Sequence, residues 1–352
     1  MSPRKCPVST SRPVPRRRLL VAAAALAMAT SACGAAAESP AAPQQQPQQP
    51  GPGMPVTIAH ALGSTTIGAP PQRVVTVGWS DQDAVLALGV QPVGTTEWFN
   101  EQPGAIFPWA TPAATGPAPE IVSNAGEINF EKLASLRPDL ILAVYEGLDR
   151  SEYDTLSKIA PTVAHPAQYD PFGAPWQDMT LTVGQALGRE QRAEELVATV
   201  EQRFAAVRAA HPQWADMTML VMATAESGTY QVFSPQDPKT RFFADLGFRT
   251  EPPWLAGRVQ DNVATVSAEE FTLLDVDRLA WTSDPDLVQT LRDDPIYNRL
   301  DVVRSGRVGY FDYTTPPFPG AAISFNTVLS IPYALDQVVP ELEKMDAIRS
   351  PG

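Results

Sequence analysis

Cysteine is almost missing from this 352-residue chain: the two present, Cys6 and Cys33, both fall within the first 33 positions. The body can therefore hold neither a disulfide framework nor a four-cysteine metal site. Histidine is nearly as scarce, and His60, His165 and His211 lie far apart. Histidine-based capture of a bare metal ion is not expected, and no direct metal ligands are assigned. There is no Gly-x-Ser-x-Gly elbow, no His-Glu-x-x-His, no phosphate loop and no Gly-x-Gly-x-x-Gly after a strand. Hydrolases and nucleotide enzymes lose their support, and no nucleophile or base marks an enzyme of another kind. Basic charge is also short, with 26 basic against 39 acidic residues and a net charge of −13. Six of the basic residues stand in the first 18 positions, so the remainder is more acidic still. Such a body repels a phosphate backbone, and nucleic acid is not an expected partner.

Hydrophobic residues make up 44% of the chain, enough for a sizeable core, and the length predicts about two domains. The start reads as an export signal, residues 1–32: basic through Arg18, apolar from Leu19 to Ala29, then small residues before Cys33. That apolar run is too short to span a bilayer as a stable anchor. Small residues before a cysteine resemble a bacterial lipobox, with Thr30 where leucine is usual, which makes Cys33 the candidate lipidation site. Arg16 and Arg17 ahead of Leu19 and Leu20 also resemble a twin-arginine signal. Residues 33–55 continue as an Ala-, Gln- and Pro-rich tether that cannot bury enough apolar surface to fold. The localisation expected is extracytoplasmic, at the outer face of the cytoplasmic membrane, held by lipidated Cys33.

The folded body alternates strands and helices. Val56, Ile58, Leu62 and Ile67 suggest a hairpin. Arg73 to Gly78 reads as a buried strand running into Trp79, and Ser80 as the N-cap of a helix from Asp81 to Leu88, stopped by Gly89. A helix starting at Asn129 and a strand from Leu140 to Tyr145 form a second unit. The same plan recurs 138 residues later, with Ser267 as cap, Glu270 completing a capping box, Leu273 and Leu274 facing inward, and a strand from Arg278 to Trp281. Asn129, Glu131 and Asp139 thus match Ser267, Glu269 and Asp277, which suggests two lobes on one plan. Between them, apolar residues at 193, 196, 197, 200, 204 and 207 mark one face of a helix from Glu190 to Ala210, roughly 30 Å long. It suits either a bridge between lobes or an ordinary surface helix. The second lobe is expected to open with a strand at Thr218 to Met222 and a helix from Arg241 to Leu246.

Candidate ligand-binding residues are the aromatic and basic side chains at expected strand ends and loops: Trp79, Trp98, Tyr145, Tyr230, Arg241, Arg258, Trp281 and Tyr313. Aromatic faces beside arginine forks suit a bulky anionic ligand with flat or apolar parts.

Three segments carry a family resemblance: Gly78-Trp-Ser-Asp-Gln-Asp-Ala84, Leu156-Ser-Lys-Ile-Ala-Pro-Thr162, and Ile323-Ser-Phe-Asn-Thr-Val-Leu-Ser-Ile-Pro-Tyr-Ala-Leu-Asp336. Together they resemble the iron-siderophore substrate-binding lipoproteins of ABC transporters, of the actinobacterial type. The resemblance implies an α/β fold of the class III solute-binding type, two Rossmann-like lobes joined by a single long backbone helix. The expected layout is a first lobe over residues 56–175, a helical connector over 176–212 and a second lobe over 213–345. It implies a non-enzymatic monomer with no resident cofactor, holding a ferric siderophore between the lobes and delivering it to an ABC importer permease. It also implies that Glu131 and Glu269 dock onto that permease, although a carboxylate early in a helix is favoured by the helix dipole alone. Hydroxamate or carboxylate groups read by Arg241 and Arg258 are the expected ligand chemistry. Haem is the alternative, its propionates on the arginines and an axial oxygen from Tyr145, Tyr230 or Tyr313.

Overall fold

The computed structural model describes residues 53–98, 102–124, 126–226 and 229–348. The export signal, Cys33 and most of the tether lie outside the described residues. The described residues form one compact unit.

A hairpin of β1 (Val56–His60) and β2 (Gly63–Ile67) precedes the first lobe. That lobe contains β3 (Val74–Thr76), β4 (Gly94–Glu97), β5 (Glu120–Asn124), β6 (Glu127–Ile128), β7 (Leu140–Ala143) and β8 (Thr162–Ala164), ordered β6-β5-β4-β3-β7-β8. All neighbours are parallel except β5 and β6. Its helices are α1 (Asp81–Ala87), α2 (Phe130–Ser135), α3 (Arg150–Leu156) and α4 (Trp176–Ala186). β3 and β7 are buried on both faces, which is why they read as unbroken apolar runs.

α5 (Glu190–Ala210) follows. Its Ala193 packs into the first lobe's core, while Val197, Val200 and Phe204 join a core that also holds Met219, Phe242 and Phe243 from the chain beyond it. The second lobe contains β9 (Met219–Glu226), β10 (Thr229–Phe233), β11 (Val263–Val266), β12 (Arg278–Ser283) and β13 (Val308–Asp312), ordered β11-β10-β9-β12-β13. β9, β12 and β13 are parallel, whereas β10 and β11 extend the sheet antiparallel through a hairpin. Its helices are α6 (Pro238–Asp245), α7 (Pro285–Asp293), α8 (Asp301–Arg304), α9 (Pro319–Phe325) and α10 (Ser330–Ile348).

The repeated plan is visible in the two aspartates. Asp139, just before β7, accepts hydrogen bonds from the backbone N–H groups of Gln72 and Arg73 at 2.8 Å, where the chain enters β3. Asp277, just before β12, accepts from Thr218 N at 2.9 Å, where the chain enters β9. Asn129 caps α2 by accepting from Lys132 N. The helix expected after Ser267 is not an α-helix: Phe271–Leu274 is a single 3-10 turn, and Ser267 contacts the Glu270 side chain instead of capping. β11 and β12 are separated in the sheet by β10 and β9, so residues 267–277 must run across the sheet's end instead of coiling. Leu274 still faces the core. Ser80 precedes α1 but makes no capping hydrogen bond, and its hydroxyl is buried without a partner.

The lobes also meet directly. Phe107 and Trp109 stack at 4.6 Å, and Phe107 packs on Phe318 and Phe325 while Trp109 packs on Phe325 and Tyr333. This aromatic layer is continuous with the core around α5.

Candidate binding cleft between the lobes

A cavity of about 660 Å³ opens between the lobes. On the first-lobe side it is lined by residues just beyond the carboxyl ends of parallel strands: Trp79 after β3, Trp98 after β4 and Tyr145 after β7. That is where ligands sit in open α/β sheets. The chain from Gln168 to Gly173, which leaves β8, completes this wall. Trp79 lies 5.3 Å from Trp98 and 4.9 Å from Phe172, and Phe172 meets Tyr145 edge-on at 5.4 Å. The wall is thus a fixed aromatic surface. Behind it, burial pushes the Glu146 carboxyl up to about 7, against the hydrogen bond it accepts from Gly147 N.

The motif that begins at Gly78 builds this wall without entering it. Asp81 is buried and accepts from Val144 N at 2.7 Å and Tyr145 N at 3.0 Å, fixing the chain as it leaves β7. A side chain at Gly78 would collide with that carboxylate, since an added Cβ would lie 2.2 to 2.6 Å from its atoms. Asp83 accepts from Trp109 Nε1 at 2.8 Å and from Thr327 Oγ1 at 2.5 Å, tying α1 to the turn before α10. Burial raises Asp81 to about 6 and Asp83 to about 7.

The opposite wall comes from the end of β10, the start of α6 and residues Val259 and Asn262. Asp237 caps α6 through Lys239 N. Its carboxylate also holds the Lys239 ammonium at 3.1 Å and accepts from Asn262 Nδ2 at 2.7 Å. Lys239 lies over the Phe233 ring, 4.0 Å from its centre. Arg241, one turn along, differs: it is half-buried, and among the described residues it forms no ion pair and its buried Nη1 has no hydrogen-bond partner. Burial holds it below the ordinary arginine value, opposed by the field of Tyr145, Tyr169, Asp237 and Asp245. A guanidinium does not lose its proton in a protein, so this is a desolvated cation at the cavity wall.

Four candidates from the sequence therefore meet at one cavity: Trp79, Trp98, Tyr145 and Arg241. Four do not. Tyr230 is fully buried and donates to Asp294 Oδ2 at 2.5 Å, and Trp281 is fully buried and donates to Tyr297 Oη at 2.9 Å. Both belong to the second lobe's core, because β10 and β12 carry them toward packed layers and not toward the cleft. Arg258 is committed to Glu270 at 3.0 Å and lies over Trp254, away from the cavity wall. Tyr313, just past β13, packs beside the core around α5 and is not at the cavity. The sequence reading missed Asp237, Lys239 and Asn262, and it also missed Tyr169 and Phe172. A Pro- and aromatic-rich loop directly after a buried strand was the available signal for the last two.

Glu131 in the first turn of α2 and Glu269 before the 3-10 turn are both exposed and lie outside the cavity. Among the described residues, no group of three or more His, Cys, Asp or Glu side chains is placed to hold a metal ion.

A two-lobed α/β fold of this kind has counterparts of known structure. The chain is 35% identical to a periplasmic solute binding protein from Mycobacterium smegmatis, with a TM-score of 0.74 over 82% of this chain and 98% of that one. It is 26% identical to Streptococcus pneumoniae PiaA in complex with ferrichrome, with a TM-score of 0.71 over 83% of this chain and 99% of that one. The Fe(3+)-citrate-binding protein YfmC of Bacillus subtilis is 27% identical over 256 residues, 70% of this chain and 75% of that protein. Residues 74–314 match the periplasmic binding protein family, whose members bind solutes and do not catalyse reactions. By that match over residues 74–314, and with two α/β lobes, the chain belongs to the periplasmic binding protein family.

Proposed function

We propose that this protein captures a ferric siderophore in the cleft between its lobes and delivers it to an ABC importer for iron uptake. The observation that carries the proposal is Arg241, a half-buried guanidinium with a free N–H, facing an aromatic wall across a 660 Å³ cavity. Charge-assisted hydrogen bonds from such a group to the oxygens of a chelate supply orientation, and the indoles of Trp79 and Trp98 supply apolar contact. A cavity whose described residues form no metal-ligating cluster suits iron that arrives already chelated. Relatives named for binding ferric citrate and ferrichrome support the same chemistry.

The remaining parts follow from that role. Acylation of Cys33 would hold the protein at the outer face of the membrane, with residues 34–55 as a spacer. Glu131 and Glu269, exposed at corresponding positions of the two lobes, would contact the permease. The protein works as a monomer. Haem gains no support from the cleft: of the three tyrosines considered as axial ligands, only Tyr145 lines it, and burial pushes that phenol's pKa up, away from tyrosinate.

Equilibrium dialysis of the purified protein against iron-labelled chelates and haemin tests the proposal. Saturable one-to-one binding of a ferric chelate supports it. Binding of haemin alone, or of nothing, contradicts it.

A further inference from the structure

We propose that the cleft selects ferric chelates carrying no net negative charge, with ferric trihydroxamates as the class, and rejects ferric tris-catecholates. This rests on the ferric-chelate proposal above and narrows it.

The cavity is balanced in charge. Among the described residues that line it, Lys239 and Arg241 are offset by Asp170 and Asp237. Lys239 is moreover spent, because the buried Asp237 carboxylate lies 3.1 Å from its ammonium and is itself fixed by Asn262 and by Lys239 N. That arrangement is built into the start of α6 and precedes any ligand. Among the described lining residues, only Arg241 remains to meet an anion. The facing wall is aromatic and brings no counter-charge, and Asp178, which accepts the Tyr169 hydroxyl at 2.5 Å, adds negative charge behind it.

Coordination chemistry sets what such a cavity tolerates. Three hydroxamates, each carrying one negative charge, neutralise iron(III) and give an uncharged complex whose oxygens can still accept from a guanidinium. Three catecholates, each carrying two, leave a trianion. Placing a trianion in a partly dehydrated cleft whose described lining offers one cation without an ion-pair partner leaves most of its charge unpaired, which is strongly unfavourable. The overall charge of −13 further disfavours its approach.

The test is a competition titration of the full-length protein with ferrichrome, an uncharged ferric trihydroxamate, and a synthetic hexadentate ferric tris-catecholate. The trihydroxamate should bind at least ~100-fold more tightly. Asp237→Asn, which keeps an acceptor for Lys239 N but frees the ammonium, should narrow that ratio by roughly tenfold through tighter tris-catecholate binding. Asp170→Asn, at an exposed position, provides a second variant that does not touch the cap of α6 and should act in the same direction. Equal or tighter binding of the tris-catecholate by the unmodified protein, or a ratio unmoved in both variants, overturns the inference while leaving chelate binding intact. Failure of every ferric chelate to bind overturns the proposal on which it rests.

Discussion

The hydroxyl of Thr327 donates to Asp83 Oδ2 at 2.5 Å while accepting from Ser330 N at 3.1 Å, so one side chain both caps α10 and fastens it to α1. Asp83 is fully buried, its other oxygen has no partner, and no cation faces it within ion-pair distance among the described residues. Its carboxyl is pushed up to about 7 by burial. A folded-state value above the unfolded value of about 3.9 means that folding takes up a proton. The stability contributed by this group is therefore fullest below about pH 4 and is lost as pH rises through about 7. Asp83→Asn keeps an acceptor for Thr327 and Trp109 without the titration. Its melting temperature relative to the unmodified protein should rise between pH 4.5 and pH 8, and a difference constant with pH would contradict this. Thr327→Val, which removes both the cap and the pin, should cost about 1–3 kcal/mol in denaturant unfolding at pH 6.

Gly78 is required by the carboxylate of Asp81. An added Cβ would stand 2.2 Å from Oδ2, and the displaced carboxylate would release the N–H groups of Val144 and Tyr145. Gly78→Ala should destabilise the protein by about 2–4 kcal/mol, and because Tyr145 lines the cleft it should weaken ligand binding as well. An unchanged denaturation midpoint would show that Asp81 does not hold this turn.

The lobes should close only slightly on a ligand. A helix lacks the loop hinges that absorb large dihedral changes, and Phe107 and Trp109 of the first lobe pack on Phe318, Phe325 and Tyr333 of the second. Small-angle scattering with and without a bound chelate should give nearly the same radius of gyration, and a large decrease on binding would refute this. Trp109→Ala, which opens that layer and removes a donor from Asp83, should cost about 3–5 kcal/mol.

On the proposed function, Glu131 and Glu269 serve delivery and not capture. Neither lines the cavity, and both are exposed. Replacing both with alanine should abolish iron uptake by cells relying on this importer while leaving the dissociation constant of the purified protein unchanged. Lost affinity in the double variant would move these residues into ligand binding.

Where a residue's role depends on its immediate neighbours, the sequence revealed it. The 3.6-residue spacing of Ala193, Val197, Val200 and Phe204 located α5, whose bounds in the structure are Glu190–Ala210 as expected. Asp139 and Asp277 stand at equivalent strand entries, as their constant offset suggested. The cleft was half legible, since Trp79, Trp98 and Tyr145 follow recognisable buried strands and Arg241 lies on a recognisable helix. Tyr230 and Trp281 were misplaced because β12 is buried on both faces and β10 lies inside a mixed sheet, so nothing local reveals which aromatic faces a core and which a cleft. Pairing is invisible for the same reason. Arg258 and Arg241 look alike in sequence, yet Arg258 pairs with Glu270, whereas Arg241 has no ion-pair partner among the described residues and feels Asp237 and Asp245 only through their field. Asp237 as partner to Lys239, and Ser267 as a turn where a cap was expected, depend on where the sheet places the connecting segments.

The measurement that bears most directly on the central claim is a tryptophan-fluorescence titration of the protein and of its Arg241→Ala variant with a ferric trihydroxamate. Trp79 and Trp98 line the cleft, so an iron chelate seated there should quench emission with one-to-one saturation at micromolar concentration or below. Removing the guanidinium should weaken binding roughly 10- to 100-fold, the worth of one charged hydrogen bond, without lowering the melting temperature. No saturable quenching, or an affinity indifferent to Arg241, would contradict the assignment of this cleft as the binding site.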